Sequence, residues 1–199
     1  MGTPITFTIT VNPTPTVAAV SNQTVCNGAN TTAVTFAGAV TGTTYAWTNS
    51  NTAIGLAASG TGNIASFAGT NTTAAPITAT ITATPSANGC TGSPTSFTIT
   101  VNPTATVNAI ANQVLCKGSN TTAVTFAGPV AGTTYAWTNS NTAIGLAASG
   151  TGTGIASFAT TNTTTAPLVA TITVTPTANG CVGTPLTFTI TVNPTPTVA

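Results

Sequence analysis

The chain has 199 residues and one charged side chain, Lys117, with no Asp, Glu, Arg or His anywhere. This excludes catalysis built on carboxylates or imidazoles, and it excludes nucleic-acid binding, which needs clustered Lys and Arg against phosphate. Nothing basic draws the chain to an anionic membrane surface, and Thr or Asn interrupts every apolar run well before the ~20 residues of a spanning helix, so no direct membrane insertion is expected.

Read in chain order, "MGTPITFTIT" has neither the basic region nor the apolar region of a secretory leader, and it reads as the start of an excerpt from a longer protein. In "TFTITVNP" from Thr6, Phe7, Ile9 and Val11 point one way while Thr8 and Thr10 point the other. That period of two marks a strand with one buried face. "NGAN" is a turn signal, and "YAWTN" sets Tyr45 and Trp47 on one strand face. After the turn "SGTGN", "ITATITATP" places Ile77, Ala79, Ile81 and Ala83 inward and four Thr outward. "SANGC" turns the chain, and a second "FTITVNP" ends the run. Thr, Val and Ile favour strands, and Gly, Pro and Asn favour the turns between them. No segment has a helical period, so the chain is expected to be all-β.

The same elements then return. "YAWTNSNTAIGLAASGTG" occurs at Tyr45 and again, unchanged, at Tyr135, while "NTTAVTFAG" occurs at Asn30 and Asn120. The step is about 90 residues, with one residue inserted near Thr153, a size that suits one β-sandwich. About seven strands per repeat and a Greek-key sandwich are expected. The boundaries are residues 1–13, an orphan last strand of a preceding repeat; 14–103, repeat 1; 104–194, repeat 2; and 195–199, the start of the next linker. An orphan strand has unpaired backbone groups, so it is expected to be disordered or to complete a neighbouring molecule. A chain with a single charged side chain also lacks the usual protection of strand edges.

Taken together, "NQTVCNG", "YAWTN", "ITATITATPSANGC" and "FTITVNP" resemble the PKD-like and immunoglobulin-like tandem repeats of large secreted and cell-surface, adhesin-type proteins of Bacteroidota-type bacteria. The resemblance covers essentially the whole chain. It implies extracellular β-sandwiches serving as non-catalytic spacers or adhesion modules. The acidic turn that commonly follows the Y-x-W strand in PKD domains is replaced here by "TNSNTAIG", so cation contacts at that turn are not carried over.

Cys26, Cys90, Cys116 and Cys181 fall two to a repeat, as expected of disulfides in an extracellular chain. Pairing within each repeat, Cys26–Cys90 and Cys116–Cys181, is the expectation. The open alternative is a Cys26–Cys181 staple between repeats, because the turns carrying the in-repeat partners would lie at opposite poles of a sandwich. Tyr45, Trp47, Tyr135 and Trp137 read as core aromatics, with a sugar-stacking platform as the competing role. N-x-S/T sequons at Asn22, Asn30, Asn71, Asn120 and Asn162 are candidate glycosylation sites. Lys117 reads as a solvated surface residue. No catalytic residue, metal site or cofactor is expected. The reading is of a structural repeat in an adhesin stalk or surface filament, self-assembling through strand complementation. Its partners would be neighbouring repeats, identical subunits, surface glycans or other cells. A glycan-binding module and a spacer within a secreted hydrolase are the alternatives.

Overall fold

The computed structural model describes residues 2–196. Repeat 1 contributes strands β1 (Gln23–Cys26), β2 (Thr44–Asn49), β3 (Ser59–Thr61), β4 (Ile77–Ala87), β5 (Cys90–Thr91) and β6 (Thr95–Asn102). They form one six-stranded sheet in the order β1-β6-β4-β2-β3, with β5 paired to β4. Repeat 2 contributes β7 (Gln113–Cys116), β8 (Val124–Thr125), β9 (Thr134–Asn139), β10 (Ser149–Thr151), β11 (Gly154–Ile155), β12 (Leu168–Ala178), β13 (Cys181–Val182) and β14 (Leu186–Asn193). Its main sheet repeats the order as β10-β9-β12-β14-β7, with β13 on β12. The sheet is mixed: β14 runs antiparallel to β12 and parallel to β7.

The second layer is slighter than the main sheet. In repeat 2 it includes the two-stranded ladder of β8 and β11, and in repeat 1 it is held by isolated bridges such as Asn30↔Ala68 and Val34↔Ile64. The strand count is therefore six in repeat 1 and eight in repeat 2, on either side of the expected seven. The inserted residue accounts for part of this difference. In repeat 1, Asn63 uses its side-chain Oδ1 to accept from the Phe36 amide at 3.0 Å. In repeat 2 the extra residue lets the Thr153 carbonyl do that work, accepting from Phe126 at 2.8 Å, and the ladder continues into Gly154 and Ile155.

Alternation along the central strand builds the core. Ala79, Ile81 and Ala83 on β4 are buried, as are Ala170, Ile172 and Val174 on β12. Each fully buried Ile contributes roughly 1.5–3 kcal/mol relative to exposure. The opposite face carries hydroxyls that bond across strands: Thr78 to Thr100 at 2.9 Å and Thr82 to Ser96 at 2.8 Å. Threonine thus serves both strand propensity and lateral pairing. Two separate cores result, one around Trp47, Ile81 and Phe97, the other around Trp137, Ile172 and Phe188. The chain divides into two compact units, one comprising everything to Asn71 together with Ile77–Val101, the other Thr72–Pro76 and everything from Asn102 on.

Candidate functional site

Each repeat has two chemically distinct ends, and the cysteines mark them. At one end, an Asn-Gly pair joins the long central strand to a short return strand. Asn88 (φ 50°) and Gly89 (φ 76°) are both left-handed, as are Asn179 (φ 51°) and Gly180 (φ 76°). Two such residues make the tight hairpin turn that matches strand twist. The residue after the turn is Cys90 in repeat 1, opposite Ala87, and Cys181 in repeat 2, opposite Ala178. The Asn of a "VNP" motif anchors this end: Asn12 Nδ2 donates to the Asn88 carbonyl at 3.0 Å, and Asn102 Nδ2 to the Asn179 carbonyl at 3.1 Å. We call this the entry end. At the other, exit end, Cys26 and Cys116 are the last residues of β1 and β7. Cys116 lies opposite Asn193, where β14 finishes.

This geometry corrects the expected in-repeat disulfides. Cys90 and Cys116 are free thiols, while Cys26 and Cys181 are disulfide-bonded. Register explains why Cys116 and Cys181 do not meet. Val192, next to the Cys116 level, pairs with Leu168, and Cys181 pairs with Ala178, so the length of β12 separates them. Ten extended residues span about 33 Å, whereas disulfide-bonded Cα atoms lie within about 7 Å. Repeat 1 has the same layout, with Cys26 on β1 and Cys90 beyond the far end of β4.

The aromatics lie in the cores. Trp47 and Trp137 are each 8% exposed, too little for either face to stack on a sugar ring. Each ring lies against a glycine of the neighbouring strand: a Cβ on Gly60 would sit 2.7 Å from Cε2 of Trp47, and one on Gly150 equally close to Cε2 of Trp137. Trp47 Nε1 is buried without a hydrogen-bond partner. Tyr45 and Tyr135 pack against Phe36 and Phe126, with ring centroids 5.5 and 5.8 Å apart. Beside each tyrosine lies a groove lined by hydroxyls, with Thr43, Thr61 and Ser86 in repeat 1 and Thr133, Thr151 and Thr177 in repeat 2.

The sequons divide into two classes. Asn22, Asn30 and Asn120 are exposed. Asn71 and Asn162 are buried, and Nδ2, the atom a glycan would take, donates instead to the carbonyls of Val101 and Val192, each at 2.8 Å. Glycosylation of these two in the folded chain is therefore ruled out by burial and by a hydrogen bond that sequence spacing does not reveal. Lys117 is exposed and takes part in the exit end through its backbone, its amide donating to the Asn193 carbonyl at 2.9 Å.

Residues 2–13 of the segment expected as an orphan strand join no sheet. Its apolar side chains face solvent: Ile5 is 93% exposed, Phe7 81%, Ile9 80% and Val11 88%. Just beyond it the chain docks onto repeat 1, with Pro15 fully buried and Ala18 donating to the Ala37 carbonyl at 2.7 Å. Among the described residues, no group of three or more Cys, His, Asp or Glu is placed to hold a metal, and no helix is long and apolar enough to cross a membrane.

Comparison with known proteins agrees with this architecture. A family model described as PKD-like domain matches residues 23–105 and 113–196. No curated protein matches the sequence. Among solved structures, the chain is similar to the first two immunoglobulin domains of DIP-gamma, with a TM-score of 0.51 and 10% identity over 91% of this chain and 98% of that one. It also matches human protocadherin-24 EC1-2, with a TM-score of 0.47 and 15% identity over 94% of this chain and 100% of that one. At 10% identity the likeness to DIP-gamma is one of fold. The chain belongs to the PKD-like domain family, of which it carries two copies in tandem.

Proposed function

We propose that this chain is a non-catalytic structural module of an extracellular, adhesin-type stalk or cell-surface filament, built to be joined end to end. One observation carries the reading: the two oxidised cysteines come one from each repeat, Cys26 from an exit end and Cys181 from an entry end. In this reading they bond to one another and staple successive repeats. A disulfide also favours an oxidising, extracellular setting. Near-identical repetition suits a spacer, which gains length from each added copy, or a multivalent binder, which gains avidity. The absence of carboxylates and imidazoles from the sequence accords with a role that needs no proton transfer.

Digestion without reduction, followed by mass spectrometry, tests the staple. The expected product is a peptide pair joined through Cys26 and Cys181 that separates on reduction. Finding both residues as thiols in protein from an oxidising compartment would contradict the reading. A glycan-binding module is the second reading. With the tryptophans buried, it rests on the hydroxyl-lined grooves beside Tyr45 and Tyr135. Saturable binding of an oligosaccharide that is lost in Thr61→Val and Thr151→Val would favour it.

A further inference from the structure

The two free thiols occupy the positions whose counterparts in the other repeat are bonded. Cys90 is the entry-end equivalent of Cys181, and Cys116 is the exit-end equivalent of Cys26. Each is accessible in part or in full. The exposed segment supplies an independent match. Residues 5–12, "ITFTITVN", reproduce β14, "LTFTITVN", with Ile5 in place of Leu186 as the one difference. In β14 those side chains are core: Phe188 is 2% exposed, Ile190 1% and Val192 0%. The equivalents Phe7, Ile9 and Val11 lie open to solvent.

We propose that the partner of this exposed segment is a second copy of the same chain, and that the joint is closed by a disulfide from Cys116 of one copy to Cys90 of the next. Residues 5–12 of the incoming copy replace β14 in the slot between β12 and β7. The register then carries over position by position. Val11 takes the place of Val192 opposite Leu168 and Leu115, and Asn12 takes the place of Asn193 opposite Cys116. Asn12 already donates to the Asn88 carbonyl of its own copy, two residues before Cys90. Asn12 would thus end a strand at the exit end of one copy while holding the entry end of the next, as Asn102 ends β6 and bonds to the Asn179 carbonyl. Because the exchanged strands have nearly the same side chains, exchange is close to neutral in buried surface, and oxidation traps it.

The chemistry balances with a small-molecule disulfide such as oxidised glutathione. A thiolate of one cysteine attacks the small disulfide and releases one small thiol. The second cysteine's thiolate then attacks the mixed disulfide and releases the other. Two protein thiols are oxidised and one small disulfide is reduced.

This inference rests on the staple proposed above, and one experiment separates the two. The full chain is incubated with oxidised glutathione, run on a non-reducing gel and mapped by mass spectrometry. The expected result is a ladder of multiples that collapses on reduction, with Cys116 joined to Cys90. Cys116→Ala should end the ladder, and so should deletion of residues 1–11, which leaves both cores untouched. Intact Cys26–Cys181 with Cys90 and Cys116 recovered only as thiols or glutathione adducts would overturn the inference alone. So would a ladder built of Cys90–Cys90 and Cys116–Cys116 links, or a ladder undiminished by the deletion. Absence of the Cys26–Cys181 peptide would overturn the staple itself.

Discussion

Gly60→Ala tests the packing of Trp47 against the neighbouring strand of its sheet. A methyl at Gly60 would contact Cζ2 of Trp47 and lie 2.7 Å from Cε2 and 3.0 Å from Cη2. Carbon atoms need about 3.5–4.0 Å, so the ring must retreat by about 1 Å. Trp47 is 8% exposed and packed within the repeat 1 core, so it has little room to do so. Overpacking of this kind costs about 1–3 kcal/mol. Replacing a strand glycine returns about 0.5–1 kcal/mol of backbone entropy. A net loss of about 1–2 kcal/mol should lower the melting temperature of repeat 1 by roughly 5–15 °C, given about 4–8 °C per kcal/mol for a domain of this size. The assay is a thermal melt followed by tryptophan fluorescence in a Trp137→Phe background, so that only repeat 1 reports. An unchanged or higher melting temperature, with Trp47 more open to acrylamide quenching, would refute the reasoning, since the ring would then leave its place without cost.

Three further outcomes follow from the same physics. Asn162→Ala removes the donor to the Val192 and Ala166 carbonyls, at 2.8 and 2.9 Å, and leaves a buried acceptor unpaired; calorimetry should show a loss of about 1–3 kcal/mol, confined to repeat 2. Because the sequence has no Asp, Glu or His, folded and unfolded states bind the same number of side-chain protons between about pH 5 and 7, and the urea midpoint should be flat across that window; a slope would contradict this. Reduction of the disulfide should leave the far-ultraviolet circular dichroism unchanged, since each repeat has its own core; loss of the β signal would mean that the bond is needed for folding.

Much of this molecule was legible in its sequence because the alternation is so regular. The second "FTITVNP" and "ITATITATP" declare which side chains face inward, and the structure places Phe97, Ile99, Ile81 and Ala79 in the core as that period requires. The thin second layer was harder to read, because runs such as "NTTAVTFAG" carry weak periodicity and pair through isolated bridges in repeat 1 and a two-residue ladder in repeat 2. The fate of the cysteines depended on strand register, which places Cys90 and Cys116 at opposite ends of their repeats from their expected partners. Spacing along the chain contains no such distance, and only the opposite poles of a sandwich argued in advance for the Cys26–Cys181 alternative. Likewise, Asn71 and Asn162 read as candidate glycosylation sites until their side chains are seen buried and bonded to the Val101 and Val192 carbonyls.

Electron microscopy of the oxidised chain, beside a version lacking residues 1–11, tests end-to-end assembly most directly. The account predicts unbranched filaments from the full chain, dissolved by reduction, and none from the shortened one. Single particles of the same size from both would contradict it.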